Sequence, residues 1–347
     1  MWCNIQSMHV FSSKWGMMNF LNRSAIFLGW ALLLEPLIGN TQAVPPQGKH
    51  ISIPTGAVAT VEWEIATGEQ CSDVFGLPTH QNNESAFKNL ALKKNVQVEA
   101  YVVGHGWPGA LCTGGGYLCH TSETTLNAYN DGDWGGSAKT VMNGYSRLTI
   151  AACSAGRFAE GSDFLKDLAN ITSMPVRAPT GNIWCINGEM IMDDGVEWME
   201  VKPGEKPGSN RGPTYTAPEQ SRYNLEVDGQ IIEPVAEVVT VLRFNYIVRP
   251  SFAQLAVTDS DASALAKLAD FSTPLHRAGT LLAAQTGSLV LKVKLSPQRT
   301  VVKSFVLYAD DILQDQDDKS LYYRVDTRLH DKLQQLRLAL RTGTRTR

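Results

Sequence analysis

The spacing of hydrophobic and polar positions changes several times along the chain. At 57–65 (AVATVEWEI) small or apolar residues alternate with polar ones, the two-residue period of a half-buried strand. The stretch 71–79 reads as loop, and 83–94 (NESAFKNLALKK) places Phe87, Leu90 and Ala91 at helical spacing. Apolar runs at 96–103 and 147–152 predict two buried strands. Between them lie a Gly-rich loop at 106–116, a short helix at 122–129 and a helix at 137–145. The segment 159–171 (AEGSDFLKDLANI) sets Phe164, Leu165 and Leu168 on one helix face, and 175–178 is a short apolar strand. Strands alternating with helices predict an α/β domain over 44–200, a mostly parallel sheet flanked by helices.

Beyond it the pattern shifts. The stretch 201–218 (VKPGEKPGSNRGPTYTAP) is dense in Pro and Gly without periodicity and reads as a linker or exposed loop. After it, 235–248 and 289–295 are strand-like, while 262–271 and 329–340 are helical. The last of these aligns Leu329, Leu333, Leu336 and Leu340, a stripe that reads as core. A smaller α+β region over 219–347, of unassigned role, is expected.

At the other end, Met17, Met18 and Arg23 lie near an apolar run at 25–39 (AIFLGWALLLEPLIG), and Thr41-Gln42-Ala43 follows as a small-residue ending. About 15 apolar residues suit a signal peptide and are short for a membrane span. Residues 1–43 are therefore set aside as an export signal, with the stretch before Met17 read as an upstream extension. The alternative is an uncleaved N-terminal anchor, the one case in which membrane contact is expected. Formal net charge is −3, and the basic tail 341–347 is adequately explained as solvated, so nothing calls for a nucleic-acid partner.

Six cysteines are present, and Cys3 leaves with the leader. Cys71, Cys112, Cys119, Cys153 and Cys185 remain, an odd number in an exported chain, which suggests disulfides plus one free thiol. Cys112 and Cys119 bracket Thr-Gly-Gly-Gly-Tyr-Leu and can close a small loop. Pairing of Cys71 with Cys185 would leave Cys153 free, although sequence leaves the connectivity open. His80 and His120 with Cys112 and Cys119 match no usual zinc spacing, so no metal and no cofactor is expected. The motifs of serine hydrolases, zinc peptidases and phosphate-binding loops are absent from the sequence. Asn83-Glu84-Ser85 and Asn170-Ile171-Thr172 fit the glycosylation acceptor pattern.

The two apolar runs end on reactive residues: Tyr101-Val-Val-Gly-His105-Gly106 and Leu148-Thr-Ile-Ala-Ala-Cys153. Adjacent parallel strands ending this way would bring a thiol and an imidazole to one sheet edge. A thiol attacks as thiolate and its leaving amine needs a proton, so Cys153 and His105 suit nucleophile and general acid/base. The backbone N–H groups of Gly106 and Cys153 are candidates for an oxyanion hole.

At these residues the chain resembles the caspase-like cysteine peptidases, the clan of caspases, legumains, gingipains and toxin autoprocessing domains. They share an apolar strand ending in His-Gly and a later one ending in Ala-Cys. The stretch 164–180 is similar to bacterial members, and the resemblance spans roughly 55–200. It implies a peptide or protein substrate, with Cys153 as nucleophile, His105 as acid/base and the Gly106 backbone at the oxyanion. Autoprocessing within 201–218 is a further expectation. Asp163, Asp193, Asp194 and Glu197 read as a solvated acidic surface, or as a preference for basic substrates if they line the pocket. The competing reading is a non-enzymatic binding or surface module in which Cys153 is structural.

Overall fold

The computed structural model describes residues 48–341, apart from 69–70, 72–75, 120, 207, 209–210, 217–225, 228–229, 232–238, 249–252, 257–263, 266 and 297. The signal-like segment 1–43 and His120 lie outside the described residues.

Among these residues strand outweighs helix, and most sheets are antiparallel. The expected helix-flanked, mostly parallel α/β fold with a small α+β tail is overturned. One six-stranded sheet contains β2 (Val58–Glu62), β3 (Thr79–His80), β4 (Asn95–Val103), β8 (Tyr145–Ala151), β9 (Val176–Pro179) and β12 (Trp198–Val201). Their order is β12-β9-β8-β4-β2-β3, with β12 antiparallel to β9 and the other pairs parallel.

The physical reason for the correction is visible on the two faces of this sheet. Helices α2 (Asn83–Ala91), α3 (Asp131–Lys139) and α4 (Phe158–Thr172) share a core with Ala100, Val102, Leu148 and Ile150. The opposite face carries a polar network instead. Tyr101 Oη donates to Glu99 Oε2 at 2.6 Å, and Arg177 donates to both Thr149 Oγ1 and Glu99 Oε2. Further along, that face is covered by strands. An antiparallel sheet runs β1 (Gly48–Ile51), β11 (Glu189–Asp193), β10 (Ile183–Ile186), β18 (Thr280–Leu281). It shares a core with Val61, Val103, Ala151 and Cys153.

Local signals account for several boundaries. Asn82 caps α2 by accepting from Ser85 N at 2.8 Å while Ser85 Oγ accepts from Asn82 N at 3.1 Å, a reciprocal box worth about 1 kcal/mol. The strand expected at 57–65 stops at Glu62, and a short helix α1 (Trp63–Ala66) follows. In place of the helix at 122–129 stand a 3₁₀ turn, Ser122–Thr124, and strand β7 (Thr125–Asn127). That strand joins β5 (Gly106–Trp107) and β6 (Ala110–Cys112) in a three-stranded sheet. The helix expected at 137–145 lies earlier, as α3.

The C-terminal part is a seven-stranded antiparallel sheet rather than α+β. It contains β15 (Val239–Val248), β16 (Ala253–Ala256), β17 (Ala269–His276), β19 (Gln285–Ser296), β20 (Arg299–Tyr308), β21 (Ile312–Asp315) and β22 (Leu321–Val325). The order is β16-β15-β19-β20-β21-β22-β17, and a small hairpin of β13 (Glu226–Val227) and β14 (Gln230–Ile231) stands apart. Helix α5 (Arg328–Arg341) adds Leu329 and Leu333 to its core. The helix expected at 262–271 is contradicted at its end, since β17 starts at Ala269. The Pro/Gly-rich stretch is tied down where it is described: Arg157 donates to the carbonyls of Arg211 (2.8 Å) and Pro213 (3.1 Å), and Ser162 Oγ donates to Gly208 O.

Candidate active site

Parallel pairing of β4 with β8 sets the geometry of the site. Val103 pairs with Ala151, and Gly104 N continues the ladder to Ala151 O at 3.2 Å. His105 and Cys153 each stand two residues beyond that pair, so they leave neighbouring strands at matching positions. Strands lie about 4.8 Å apart.

Sequence reasoning missed a third member. Glu62 ends β2, whose Val61 also pairs with Val103. Its Oε2 accepts from His105 N at 2.9 Å and lies 2.8 Å from His105 Nδ1, and the carboxylate is fully buried. A carboxylate only accepts, so Nδ1 carries a ring proton and Nε2 is left as the nitrogen not engaged by Glu62. Oε1 of Glu62 has no hydrogen-bond partner. The signal in the sequence was faint: the first Glu in Val-Glu-Trp-Glu, near the end of an alternating strand.

Gly106 follows the histidine because nothing larger fits. A Cβ there would meet Ala152 Cβ at 2.7 Å and Cys153 O at 2.8 Å. The turn after Cys153 is held in an uncommon shape, with Ser154 at φ 56° and Phe158 at φ 60°. Left-handed non-glycine residues cost free energy and persist where their surroundings impose them. Here Ser154 N donates to Gly181 O (2.7 Å) and Gly156 N to Pro179 O (2.9 Å). On the far side, the Phe158 ring stacks on His330 of α5 at 3.8 Å between centroids.

The amides of Gly106 and Cys153 converge. Both donate to one oxygen, the Leu282 carbonyl, at 3.1 and 3.0 Å. Cys153 itself is a free cysteine, fully buried. Its Sγ donates to Ile183 O (3.2 Å) and accepts from Ile183 N (3.0 Å), and no hydrogen bond joins it to His105. Burial pushes the thiol pKa well up, against the lowering by the Ile183 backbone, and Asp193 and Asp311 add to the rise. The group is therefore a neutral thiol in this arrangement.

His105 borders a cavity of about 230 Å³ lined also by Tyr117, Leu281, Tyr308, Gln314 and Tyr322. Gln314 Nε2 donates to Tyr322 Oη at 2.8 Å, and burial raises the Tyr322 pKa to about 12, so this phenol stays protonated.

The other candidates fall in different places. Cys71 is bonded to Cys185 and Cys112 to Cys119, with Cα atoms 5.3 and 5.5 Å apart. The first bond anchors β10, and the second closes the loop at the edge of the site. His80 lies on β3 beside Thr60 Oγ1 (3.0 Å), away from any cluster of metal-ligating groups among the described residues. Of the four acidic residues, Asp163, Asp194 and Glu197 are exposed, while Asp193 is buried and accepts from Trp184 Nε1 at 3.0 Å. Asn83 does not present its side chain for glycosylation. It is buried, and Nδ2 donates to Ser122 O and Thr125 O. No helix among the described residues is long and apolar enough to cross a membrane, and the two disulfides fit an oxidising compartment.

Comparison with protein-family models, with curated proteins and with solved structures finds no match to this chain.

Proposed function

We propose that the chain is a cysteine peptidase that hydrolyses peptide bonds through a thioester. The observation that carries this reading is the pair of amides, Gly106 and Cys153, aimed at a single carbonyl oxygen beside a thiol and a carboxylate-held imidazole. Two converging N–H donors are what a tetrahedral oxyanion needs.

Cys153 Sγ attacks the scissile carbonyl carbon, and His105 Nε2 takes the thiol proton. The Gly106 and Cys153 amides hold the negative oxygen. His105 then returns its proton to the leaving amine as the C–N bond breaks. In the second half, water attacks the thioester carbon, His105 accepts a water proton, and the thiol is restored as the acid leaves. Glu62 is the positioning residue. The order His-Gly then Ala-Cys at ends of neighbouring strands, shared with caspase-like peptidases, supports this assignment. The signal-like segment and the disulfides support export, with peptides or proteins as substrates.

The complete burial of Cys153 favours a second reading, a binding or surface module in which that thiol only packs. The test is hydrolysis of a fluorogenic peptide library, together with adduct formation by peptidyl acyloxymethyl ketones, on the full chain. Both are expected to depend on Cys153, and His105→Ala is expected to slow hydrolysis on the order of 100-fold or more. Hydrolysis that survives in Cys153→Ala sinks the peptidase reading.

A further inference from the structure

The carbonyl held by the two amides belongs to the chain itself. Thr280 and Leu281 pair antiparallel with Cys185 and Trp184 of β10, as an added strand. Leu282 N then donates to Ile183 O at 2.9 Å, and Leu282 O accepts from Gly106 and Cys153. Ala283 bridges to Gly106, and Ala284 N donates to Gly106 O at 2.8 Å. An extended peptide presented for attack would make this same sequence of contacts, with its acyl-side residue at the position of Leu282. Residues 281–284 are all buried, and Leu282, Ala283 and Ala284 fully so.

Resting on the peptidase reading, we propose that Gly279–Ala284 is a resident substrate mimic, and that the cleft it fills selects extended peptides with leucine on the acyl side. Leu282 belongs to the apolar cluster that includes Ile183, Trp184 and the Cys71–Cys185 bond, a setting that favours a branched aliphatic side chain over a charged one. The occupant also explains the state of Cys153. The segment closes the cleft over the thiol, whose hydrogen bonds go to the Ile183 peptide instead of the imidazole. Entry of the segment depends on Gly279. At φ +115° a Cβ would lie 2.4 Å from Ile186 Cγ1 and 2.8 Å from Cys185 O, so only glycine lets the chain turn in alongside β10.

The experiment compares the full chain with Leu282→Ala and, independently, with Gly279→Ala at the rim of the cleft. Each is checked for retained near-UV circular dichroism and a cooperative melt. Brief native iodoacetamide exposure, followed by peptide mass spectrometry, reads the accessibility of Cys153. Labelling at least tenfold faster than wild type in a folded variant is the expected result. Folded variants that both protect Cys153 as well as wild type overturn the proposal. Acetyl-Gly-Thr-Leu-Leu-aminomethylcoumarin is then offered to the opened variant beside its counterparts ending in Asp and Lys. At least tenfold faster release from the leucine peptide is expected, and preference for either charged residue overturns the leucine assignment. Rapid labelling with no hydrolysis of any peptide shows that the segment covers Cys153 but removes the peptidase reading, and with it the substrate-mimic assignment.

Discussion

A single carboxylate oxygen, Oε2 of Glu62, meets His105 twice, at its backbone N–H (2.9 Å) and at its ring Nδ1 (2.8 Å). One acceptor thereby fixes both the path of the chain and the orientation and tautomer of the imidazole. Glu62→Gln keeps the shape but can turn an amide N–H toward Nδ1, which demands the other tautomer. A loss of about 10²–10⁴-fold in kcat with little change in KM is expected, by analogy with removal of the orienting carboxylate in a triad. Steady-state kinetics across pH check it, and an unchanged kcat would remove Glu62 from the machinery.

Two buried histidines pull stability in opposite directions with pH. For His330, burial opposes the charge, but Asp310 and Glu160 outweigh it and lift the pKa to about 9. Its folded pKa exceeds the unfolded value of about 6.5, so its contribution is full below pH 6.5 and is lost as pH rises through 9. For His80, burial lowers the pKa to about 3, so a penalty grows as pH falls from 6.5 towards 3. These two groups alone place the maximum near pH 6.5. Urea unfolding from pH 4 to 9 is expected to show it, and His330→Phe to flatten the alkaline side by on the order of 2–3 kcal/mol.

The Cys71–Cys185 bond spans 114 residues of sequence and Cys112–Cys119 spans 7. Constraint of the unfolded chain grows with loop length. Replacing the first pair with serine is expected to cost about 2–5 kcal/mol, and replacing the second a smaller amount. Chemical denaturation under non-reducing conditions distinguishes them, and equal losses would contradict the chain-entropy account.

Lys303 is a buried cation between Asp315 (3.0 Å) and Asp317 (3.2 Å) in the middle of β20. Asp315→Ala leaves that charge without its buried partner and is expected to cost about 3–5 kcal/mol. The double replacement Lys303→Met, Asp315→Leu is expected to recover most of it. Thermal melts of the two variants provide the check.

Sequence showed the parts of the site that depend on local pattern. The apolar runs at 96–103 and 147–152 mark β4 and β8, and the reactive residues follow directly. Glu62 was hidden because a carboxylate in an alternating strand reads as solvent-facing, and only its pairing alongside β4 turns it inward. The antiparallel C-terminal sheet was hidden differently. Strand β20 carries a lysine, Lys303, at an inward position, which breaks the alternation that identifies a strand. Helices on both faces of the parallel strands were expected from the βαβ rhythm, yet Glu99, Tyr101 and Arg177 make the second face polar. Leu282 had no local signature at all, because its meaning comes from backbone hydrogen bonds to residues far away in sequence.

The pairing of β18 with β10 has one more consequence. In the order β1-β11-β10-β18, the segment that fills the cleft is also the outermost strand of its sheet. Once it is displaced, Ile183–Ile186 becomes a bare edge whose free N–H and C=O groups can template another chain. A chain opened in this way would therefore gain a tendency to stick to itself, and a peptide that refills the cleft would act as its solubiliser.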